Sequence, residues 1–297
     1  MILRARPRLT PLPLIVLVAL QGAAQEPATF YTPVVKVRTG SFFEPNGDEI
    51  ETWWVSSLVG YNNGTREATT TYLAAYGNGA SLRHDYGCPG SWTYPPGVGF
   101  VFEDREGGCV EDPVGGPGFL AFTATPGMIY DSFVERIWWN LSCDELSRVG
   151  SAEGRRSLPV YRGHFPAGSA ATSGPVGLGA PHLYCFEAAH RYLRRINVTL
   201  FNAGERSATF GVLVRRLDLN PAILSEQTFL LSAKEVRQIN GFDIPSLPLF
   251  GSTIGWDQMV WISITADQPF LSYVTTVYDL GTPHGVGFEV YPSRLTQ

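Results

Sequence analysis

The chain has 297 residues, a length that suits one large domain or two ordinary ones. Charged residues make up only 16% of it, while glycine and proline together reach about 18% against roughly 12% in an average protein. Hydrophobic residues at 44% exclude an intrinsically disordered chain, and the many turn-forming residues predict an all-β protein with few long helices.

The first 24 residues have the order of a secretory signal peptide. Three arginines precede an apolar run, LPLIVLVAL at residues 12–20, and small residues follow it up to Ala24. The apolar run is too short for a transmembrane helix, and no apolar run of about 18 residues follows it. We therefore expect residues 1–24 to be a cleaved signal peptide. The protein is then exported to the periplasm, the cell surface or the extracellular space, with no transmembrane segment left.

Cleavage also changes the charge of the protein. The formal net charge is −5, and the loss of Arg4, Arg6 and Arg8 without any acidic residue lowers it to −8. Binding to the phosphate backbone of nucleic acids requires a basic surface. We therefore expect no nucleic acid partner.

Four cysteines follow in the chain: Cys88, Cys109, Cys143 and Cys185. In an exported protein they predict up to two disulfides, with three possible connectivities. We favour Cys88–Cys109 and Cys143–Cys185, because short loops close at a lower entropic cost and residues 88–109 form a Gly/Pro-rich insertion with few other means of ordering itself. A zinc site is a weaker alternative, since the sequence has no CxxC pair. Free thiols are expected if the protein is exported to a space that is not oxidising.

Aromatic residues are concentrated in or beside this insertion. They are Tyr86, Trp92, Tyr94, Phe100 and Phe102. Exposed Trp and Tyr rings on a braced loop form flat apolar platforms that stack on sugar rings or on partner proteins. We therefore treat Tyr86, Trp92 and Tyr94 as candidate ligand-binding residues. The alternative is that the rings build a small core for the loop itself.

A segment made almost wholly of Pro, Gly, Ser, Thr and Ala runs from Pro166 to Pro181. This composition is typical of an interdomain linker or a long surface connection. We therefore expect a linker at 166–181 between a first domain at 26–165, with its disulfide-braced insertions, and a second domain at 182–297.

Alternating apolar residues mark strands in the second domain. Ile196, Val198 and Leu200 fall on one face of a strand, with Asn197 and Thr199 on the other. Two more strand patterns lie at 260–265 and 270–278, separated by an Asp-Gln-Pro turn. Short strands with a turn signal every dozen or so residues predict a β-sandwich. The only candidate helix, at 186–195, runs directly into the first of these strands.

An internal repeat links the two predicted domains. Residues 62–73 align without a gap onto residues 202–213, with Asn, Gly, Arg, Ala, Thr and Leu at matching positions. Each copy follows an apolar run and precedes a β-rich run. We therefore interpret each copy as a strand, an Asn-x-Gly turn with the glycine at positive φ, and a second strand.

These units resemble the tandem immunoglobulin-like β-sandwich repeats of exported bacterial proteins. The resemblance rests on the strand–Asn-x-Gly–strand unit, on the segment SAKEVRQIN at 232–240 and on the strand pair ITADQPFLSY at 264–273. It covers most of 182–297 and about two thirds of 26–165. It implies two immunoglobulin-like domains, and it says little about function, because most of these proteins have no assigned activity.

The sequence contains no recognisable catalytic pattern. The segment Gly77–Leu82 lacks the third glycine of a dinucleotide-binding loop, and no serine has the G-x-S-x-G spacing. The five histidines form no metal-binding motif, and the pair Glu187 and His190 has no identifiable partner ligands. We therefore expect no cofactor, no metal and no enzymatic activity. A hydrolase that uses an acid pair in the insertions is the least favoured alternative.

The leading hypothesis is a non-catalytic exported β-sandwich protein that acts as a surface or extracellular interaction module. Its partner is a protein or a polysaccharide at the cell exterior. The alternative is a carbohydrate-binding module that uses the aromatic residues of the 86–102 insertion, above all Trp92.

The predicted disulfide pairing can be tested on the exported protein. If Cys88–Cys109 closes its loop of roughly 20 residues, the chain-entropy description gives it about 3 kcal/mol. Reduction should therefore increase protease cleavage between about residues 84 and 118 while residues 195–290 stay protected. Peptide mapping without reductant measures the connectivity. Peptides that join Cys88 to Cys143 or Cys185 contradict the pairing, and four alkylatable thiols contradict the oxidised state.

Overall fold

The computed structural model describes residues 26–34, 36–43, 45, 47, 49–77, 90–103, 117–140, 147–148, 153–177, 192–216, 223–240, 259–279 and 286–296. Within these ranges it contains twenty β-strands and no helix, which confirms the all-β class. The strands form four antiparallel sheets. Two sheets come from residues 28–162, called the first half below, and two come from residues 170–295, called the second half.

The first half contains sheets 1 and 2. Sheet 1 consists, from edge to edge, of β11 (Tyr161–Arg162), β1 (Ala28–Val34), β7 (Gly118–Ala124), β4 (Ala68–Gly77) and β5 (Ser91–Tyr94). Sheet 2 consists of β10 (Glu153–Leu158), β8 (Met128–Asn140), β3 (Glu49–Asn62) and β2 (Lys36–Phe43). Two further strands belong to it: β6 (Gly99–Glu103) pairs with β3, and β9 (Ser147–Arg148) pairs with β8.

The second half contains sheets 3 and 4. Sheet 3 consists of β15 (Ile223–Leu231), β14 (Ala208–Arg216), β17 (Met259–Ala266), β12 (Ala170–Gly177) and β20 (Arg294–Leu295). Sheet 4 consists of β16 (Val236–Asn240), β13 (Tyr192–Asn202), β18 (Phe270–Asp279) and β19 (Val286–Pro292). Residues 192–195, the end of the candidate helix, therefore belong to a strand.

Part of the segment expected to be a linker forms a strand. Residues 170–177 are β12, which pairs with β17 on one side and with β20 on the other. The register shifts between Ser173 and Val176, so Pro175, which has no N–H to donate, lies at an irregularity of the ladder. The buried hydroxyls of Ser173 and Ser293 are 2.6 Å apart. Residues 170–177 therefore belong to sheet 3, despite a composition that is poor in strand-forming residues.

Sheets 1 and 2 pack face to face. The rings of Phe30 in β1 and Phe122 in β7 stack with centroids 5.6 Å apart, and Tyr130 of β8 lies 4.8 Å from Phe122. Across the same space the buried hydroxyl of Thr32 donates a hydrogen bond of 2.7 Å to the hydroxyl of Ser132. Apolar burial between two sheets supplies the main stabilisation of such a layered arrangement.

Sheets 3 and 4 enclose the largest apolar cluster. Phe210 of β14 and Phe270 of β18 pack edge to face with centroids 5.8 Å apart. The residues predicted to share one face of β13 are buried in this cluster. Asn197 and Thr199 on the opposite face are buried as well, because the opposite face of sheet 4 makes the contact with sheet 1.

The strand order of the second half matches that of the first. Sheet 1 runs β11-β1-β7-β4-β5 and sheet 3 runs β20-β12-β17-β14-β15. In sheet 2 the order β10-β8-β3-β6 corresponds to β19-β18-β13-β16 in sheet 4. Each of these strands therefore has a counterpart, and the gapless alignment of 62–73 with 202–213 assigns counterpart residues on β3 and β13 and on β4 and β14.

One asparagine in each half holds the chain where it crosses from one sheet to the other. Asn62 ends β3, Asn202 ends β13, and both side chains are fully buried. Each Oδ1 accepts a hydrogen bond from the backbone N–H two residues later. Each Nδ2 donates to the carbonyl four residues later and to a second carbonyl that is distant in the sequence. The partners are Gly64 and Gly204 (2.9 and 3.0 Å), Arg66 and Arg206 (2.8 and 2.7 Å), and Tyr94 and Ser232 (2.7 and 2.8 Å).

The glycines of these two turns lack the positive φ that the sequence predicts. Both glycines lie in confined space instead. A Cβ atom on Gly64 would lie 3.1 Å from both the Asn62 Oδ1 and the Cα of Gly127, and one on Gly204 would lie 3.0 Å from the Gln268 side chain. The prediction was wrong because each turn joins two sheets, whereas the positive φ belongs to hairpin turns within one sheet.

Aromatic rings join the two halves. Phe201 at the end of β13 packs on three rings from the outer face of sheet 1, with centroid distances of 4.6 Å to Tyr76, 5.4 Å to Phe119 and 6.0 Å to Tyr31. Phe119 also lies 5.3 Å from Tyr273 of β18. Sheet 1 is therefore covered on both faces, by sheet 2 on one side and by sheet 4 on the other.

A tyrosine hydroxyl closes the edge of this contact. Tyr161 of β11 donates a hydrogen bond of 3.1 Å to the carbonyl of Ser272 in β18. Burial raises the pKa of Tyr161, and burial likewise raises the pKa of Tyr273 above the ordinary value for tyrosine. Both hydroxyls therefore stay protonated at pH values at which an exposed tyrosine ionises.

Replacement of the buried asparagine tests the turn. Asn62→Ala removes the partner of three backbone groups and should lower the free energy of unfolding of the first half by about 3 kcal/mol. Asn63→Ala is the matched control, because Asn63 is exposed and the aligned residue of the second turn is Ala203. That variant should stay within about 0.5 kcal/mol of the wild type. Urea unfolding measures both, and equal midpoints for Asn62→Ala and Asn63→Ala contradict the proposed anchor.

Candidate functional site

An apolar cavity opens between sheets 1 and 2 beside strands β5 and β6, and it is called the β5–β6 cavity below. Its volume is about 200 Å³. The residues that line it are Leu58, Thr70, Tyr72, Trp92, Tyr94, Phe100, Val101, Leu120 and Phe122. A concave site with mostly apolar and aromatic walls is the usual form of a binding pocket.

The alternation of short strands positions the rings. In β5, Trp92 lies opposite Thr70 of β4 and Tyr94 lies opposite Ala68, so both rings point into the space between the sheets. The intervening Thr93 is exposed on the outer face. Both rings are half-buried, and β5 is the edge strand of sheet 1. Trp92 and Tyr94 therefore form one wall of the cavity at the edge of the sheet.

Phe100 forms the facing wall. It lies opposite Gly60 in the β3–β6 ladder, and its ring stacks on that of Tyr94 with centroids 5.0 Å apart and planes inclined by 23°. A Cβ atom on Gly60 would lie 2.1 Å from the Phe100 ring. The absence of a side chain at Gly60 is therefore what admits the Phe100 ring against β3.

The second half shows why the first half has a cavity. Continuing the alignment of the two Asn-x-Gly units, Gly60 corresponds to Leu200 and Thr70 corresponds to Phe210. Leu200 and Phe210 are fully buried in the cluster between sheets 3 and 4. The first half thus has a small residue at two positions where the second half has a large apolar one. The Phe100 ring occupies the space over Gly60, and the cavity opens beside Thr70.

The walls carry no charged residue. The hydroxyl of Thr70, one of the lining residues, is hydrogen-bonded to the hydroxyl of Tyr130 at 2.7 Å. Burial raises the pKa of Tyr130 to about 12, and burial also raises the pKa of Tyr94. The cavity therefore stays uncharged at neutral pH and suits an apolar group.

The structure brings together two of the three candidate ligand-binding residues, Trp92 and Tyr94, in one wall. Tyr86 lies outside the described residues, as do the four cysteines and the predicted signal peptide at 1–24. The two rings face inward between two sheets, an arrangement that differs both from a flat exposed platform and from a self-contained loop core.

Sequence reasoning missed the other walls of the cavity. Leu58, Tyr72, Leu120 and Phe122 belong to ordinary strand patterns, and nothing in those patterns distinguishes a cavity wall from filled core. The sequence feature that indicates the cavity is the internal repeat, in which Gly60 and Thr70 occupy positions where the second half has large apolar residues.

Two features are absent from the described part of the chain. Among those residues no three His, Cys, Asp or Glu side chains lie together as a metal site would require. Within the same ranges, no helix is long and apolar enough to cross a membrane.

Comparisons with known proteins identify no family for this chain. No protein-family model and no curated protein matches it. Among solved structures, the crystal structure of Thermotoga maritima 1070 aligns with 44% of this chain and 97% of its own, at 10% identity and a TM-score of 0.29. A likeness this weak carries no argument about function.

The contact between Gly60 and Phe100 can be tested by a double-mutant cycle. Gly60→Ala should lower the free energy of unfolding by about 1–3 kcal/mol, because the new methyl group displaces the Phe100 ring. In a Phe100→Ala background the same change should be neutral or stabilise by about 0.5 kcal/mol, because alanine costs less backbone entropy than glycine. Chemical denaturation of the four proteins measures the coupling, and additive effects contradict the described cavity wall.

Proposed function

We propose that the protein is a non-catalytic exported interaction module made of two tandem immunoglobulin-like β-sandwiches. Export rests on the signal peptide expected at residues 1–24. The tandem assignment is supported by the matching strand orders and by the equivalent hydrogen bonds of Asn62 and Asn202. The binding site proposed for the module is the β5–β6 cavity.

The observation that carries the proposal is an apolar cavity open beside two strand edges. Its volume of about 200 Å³ exceeds the roughly 150 Å³ that suffices for a benzene ring. β5 is the last strand of sheet 1, so among the described residues its outer edge has no strand partner. An extended segment of a partner protein can pair with this edge and place an apolar side chain in the cavity.

Carbohydrate binding is the second candidate. It is favoured by Trp92, whose half-buried ring lines the cavity together with the hydroxyl-bearing Thr70. Sugar recognition uses a ring face together with nearby hydrogen-bonding groups. The uncharged, mainly apolar walls of the cavity favour an apolar side chain over a sugar.

A variant in which a larger side chain fills the cavity distinguishes these two binding functions from a purely structural role of the cavity. Thr70→Phe introduces the residue that the second half has at this position and leaves the aromatic walls in place. Thr93→Phe is the matched control, because it adds the same ring on the exposed outer face of β5. The probe is an array of extended peptides, each with Phe, Leu, Trp or Ala at its centre, printed beside a set of polysaccharides.

We expect the wild type and Thr93→Phe to bind peptides with an apolar centre, and Thr70→Phe to bind them at least about tenfold more weakly, a loss of about 1.4 kcal/mol. Retention on a polysaccharide that is lost in Trp92→Ala supports the carbohydrate function instead. If the wild type binds neither class, or if Thr70→Phe binds like Thr93→Phe, the cavity is not the binding site.

A further inference from the structure

The outer face of sheet 4 carries a block of polar side chains beside the aromatic contact with sheet 1. Asn197 and Thr199 belong to β13, and Thr275 and Tyr273 lie opposite them on β18. All four are at most 3% exposed, and the Tyr273 ring packs on Phe119 of sheet 1. These four residues, called the sheet 4 polar block below, are therefore shielded from bulk water.

Three members of the sheet 4 polar block have a polar atom without a partner. The Nδ2 of Asn197 donates a hydrogen bond of 3.3 Å to the hydroxyl of Thr275. The Oδ1 of Asn197, the hydroxyl of Thr199 and the hydroxyl of Tyr273 make no hydrogen bond to any of the described residues. The large majority of buried side-chain polar atoms in folded proteins have a protein or water partner. Three exceptions on one small face therefore indicate that these atoms share a further partner.

The spacing of the three atoms suits one small molecule. Residues two apart on one face of a strand are about 6.6 Å apart, and directly opposite residues have Cβ atoms about 4.5–5.5 Å apart. A water molecule with hydrogen bonds of about 2.8 Å on two sides links atoms up to about 5.6 Å apart. Burial raises the pKa of Tyr273, and the nearby Thr199 side chain and Gly118 backbone partly offset the rise. The two hydroxyls therefore lie close together, although no hydrogen bond joins them.

We infer that the sheet 4 polar block binds one internal water molecule at the contact between the two halves. The water donates one hydrogen bond to the Oδ1 of Asn197, which only accepts, and one to the hydroxyl of Thr199. It accepts a third from the hydroxyl of Tyr273. About three hydrogen bonds to otherwise unpartnered polar groups are typical of a buried water. No member of the block is charged, so the site favours water over an ion.

The first half differs at the corresponding positions. Continuing the alignment, Thr199 corresponds to Val59, and Asp131 lies opposite Val59 as Tyr273 lies opposite Thr199. Asp131 is exposed, so bulk solvent hydrates it directly. In the second half the contact with sheet 1 excludes bulk solvent, and the bound water takes its place. The contact between the halves thus has a dry part around the Phe201 ring and a hydrated part at the sheet 4 polar block.

Removal of one hydroxyl tests the bound water by the sign of its effect. Thr199→Val keeps nearly the same shape. If water is bound, the change removes one of its partners and should raise the equilibrium constant of unfolding about fivefold, which corresponds to about 1 kcal/mol. If no water is bound, the change removes a buried atom that has no partner, so the constant should stay the same or fall. Thr228→Val is the matched control, because Thr228 is exposed in β15, and it should change the constant by less than about twofold.

A second variant and a direct observation support this test. Tyr273→Phe removes the other hydroxyl, should also raise the unfolding constant about fivefold, and serves in place of Thr199→Val if that variant does not fold. Urea unfolding of the purified protein measures all three variants. A crystal structure of the wild type needs no substitution. It should show one water within about 3.2 Å of the Asn197 Oδ1 and of the hydroxyls of Thr199 and Tyr273.

Two results overturn the inference. One is an unfolding constant that does not rise in Thr199→Val, or in Tyr273→Phe where that variant takes its place. The other is a crystal structure with no water among the three atoms. The inference goes beyond the proposed function. None of the four residues lines the β5–β6 cavity, so failure of either proposal leaves the other standing.

Discussion

In each half of this protein, the side-chain carboxamide of one buried asparagine holds the backbone in place through its hydrogen bonds. Asn62 and Asn202 are each hydrogen-bonded to backbone groups at three points. Two of these points lie on the turn that follows, and the third lies at the end of the neighbouring edge strand. They fix the register with which the chain leaves one sheet and enters the other. A slip of one residue in a strand turns every side chain to the opposite face. The inward position of Thr70 and the outward positions of Tyr61 and Phe201 depend on this register, since all lie within eight residues of an anchoring asparagine.

The two halves fill the same framework differently. In the second half, Leu200 and Phe210 fill the interior, and Phe201 on the outer face is covered by sheet 1. Burial of one such side chain contributes about 1.5–3 kcal/mol, so the first half, with Gly60 and Thr70, lacks several kcal/mol of this stabilisation. Phe100 and Tyr94 recover part of it by stacking over Gly60. The first half therefore combines an interior with free space and, at the Tyr61 end of sheet 2, an outer face that is partly exposed.

The sequence allowed the all-β class to be predicted, and it failed where long-range contacts decide. Alternation identified β13, because Ile196, Val198 and Leu200 share one buried face whatever lies opposite. β12 was missed because its residues have low strand propensity, and the pairing with β17 and β20, far away in the chain, makes them a strand. The turn glycines were assigned a positive φ because a hairpin was assumed. The cavity lies between strands that are far apart in sequence, so no local pattern predicts it. Its sequence signal is the presence of Gly60 and Thr70 at repeat positions where the second half has large apolar residues.

The contact between the halves also bears on the cavity. An apolar cavity persists only where its walls cannot relax into it, and the cost of an empty space depends on how far the surroundings collapse. Leu120 and Phe122 of β7 form part of the wall, and the neighbouring Phe119 faces the other way and packs on Phe201 and Tyr273. β7 is thus buried on both faces and held in place by sheet 4 from behind. The back wall lies in β7, which is buried on both faces, while the open side lies at the edge strand β5, which pairs only with β4 among the described strands. A group that enters the cavity therefore meets a strand with packed layers on both faces at the back and a strand with one paired edge at the opening.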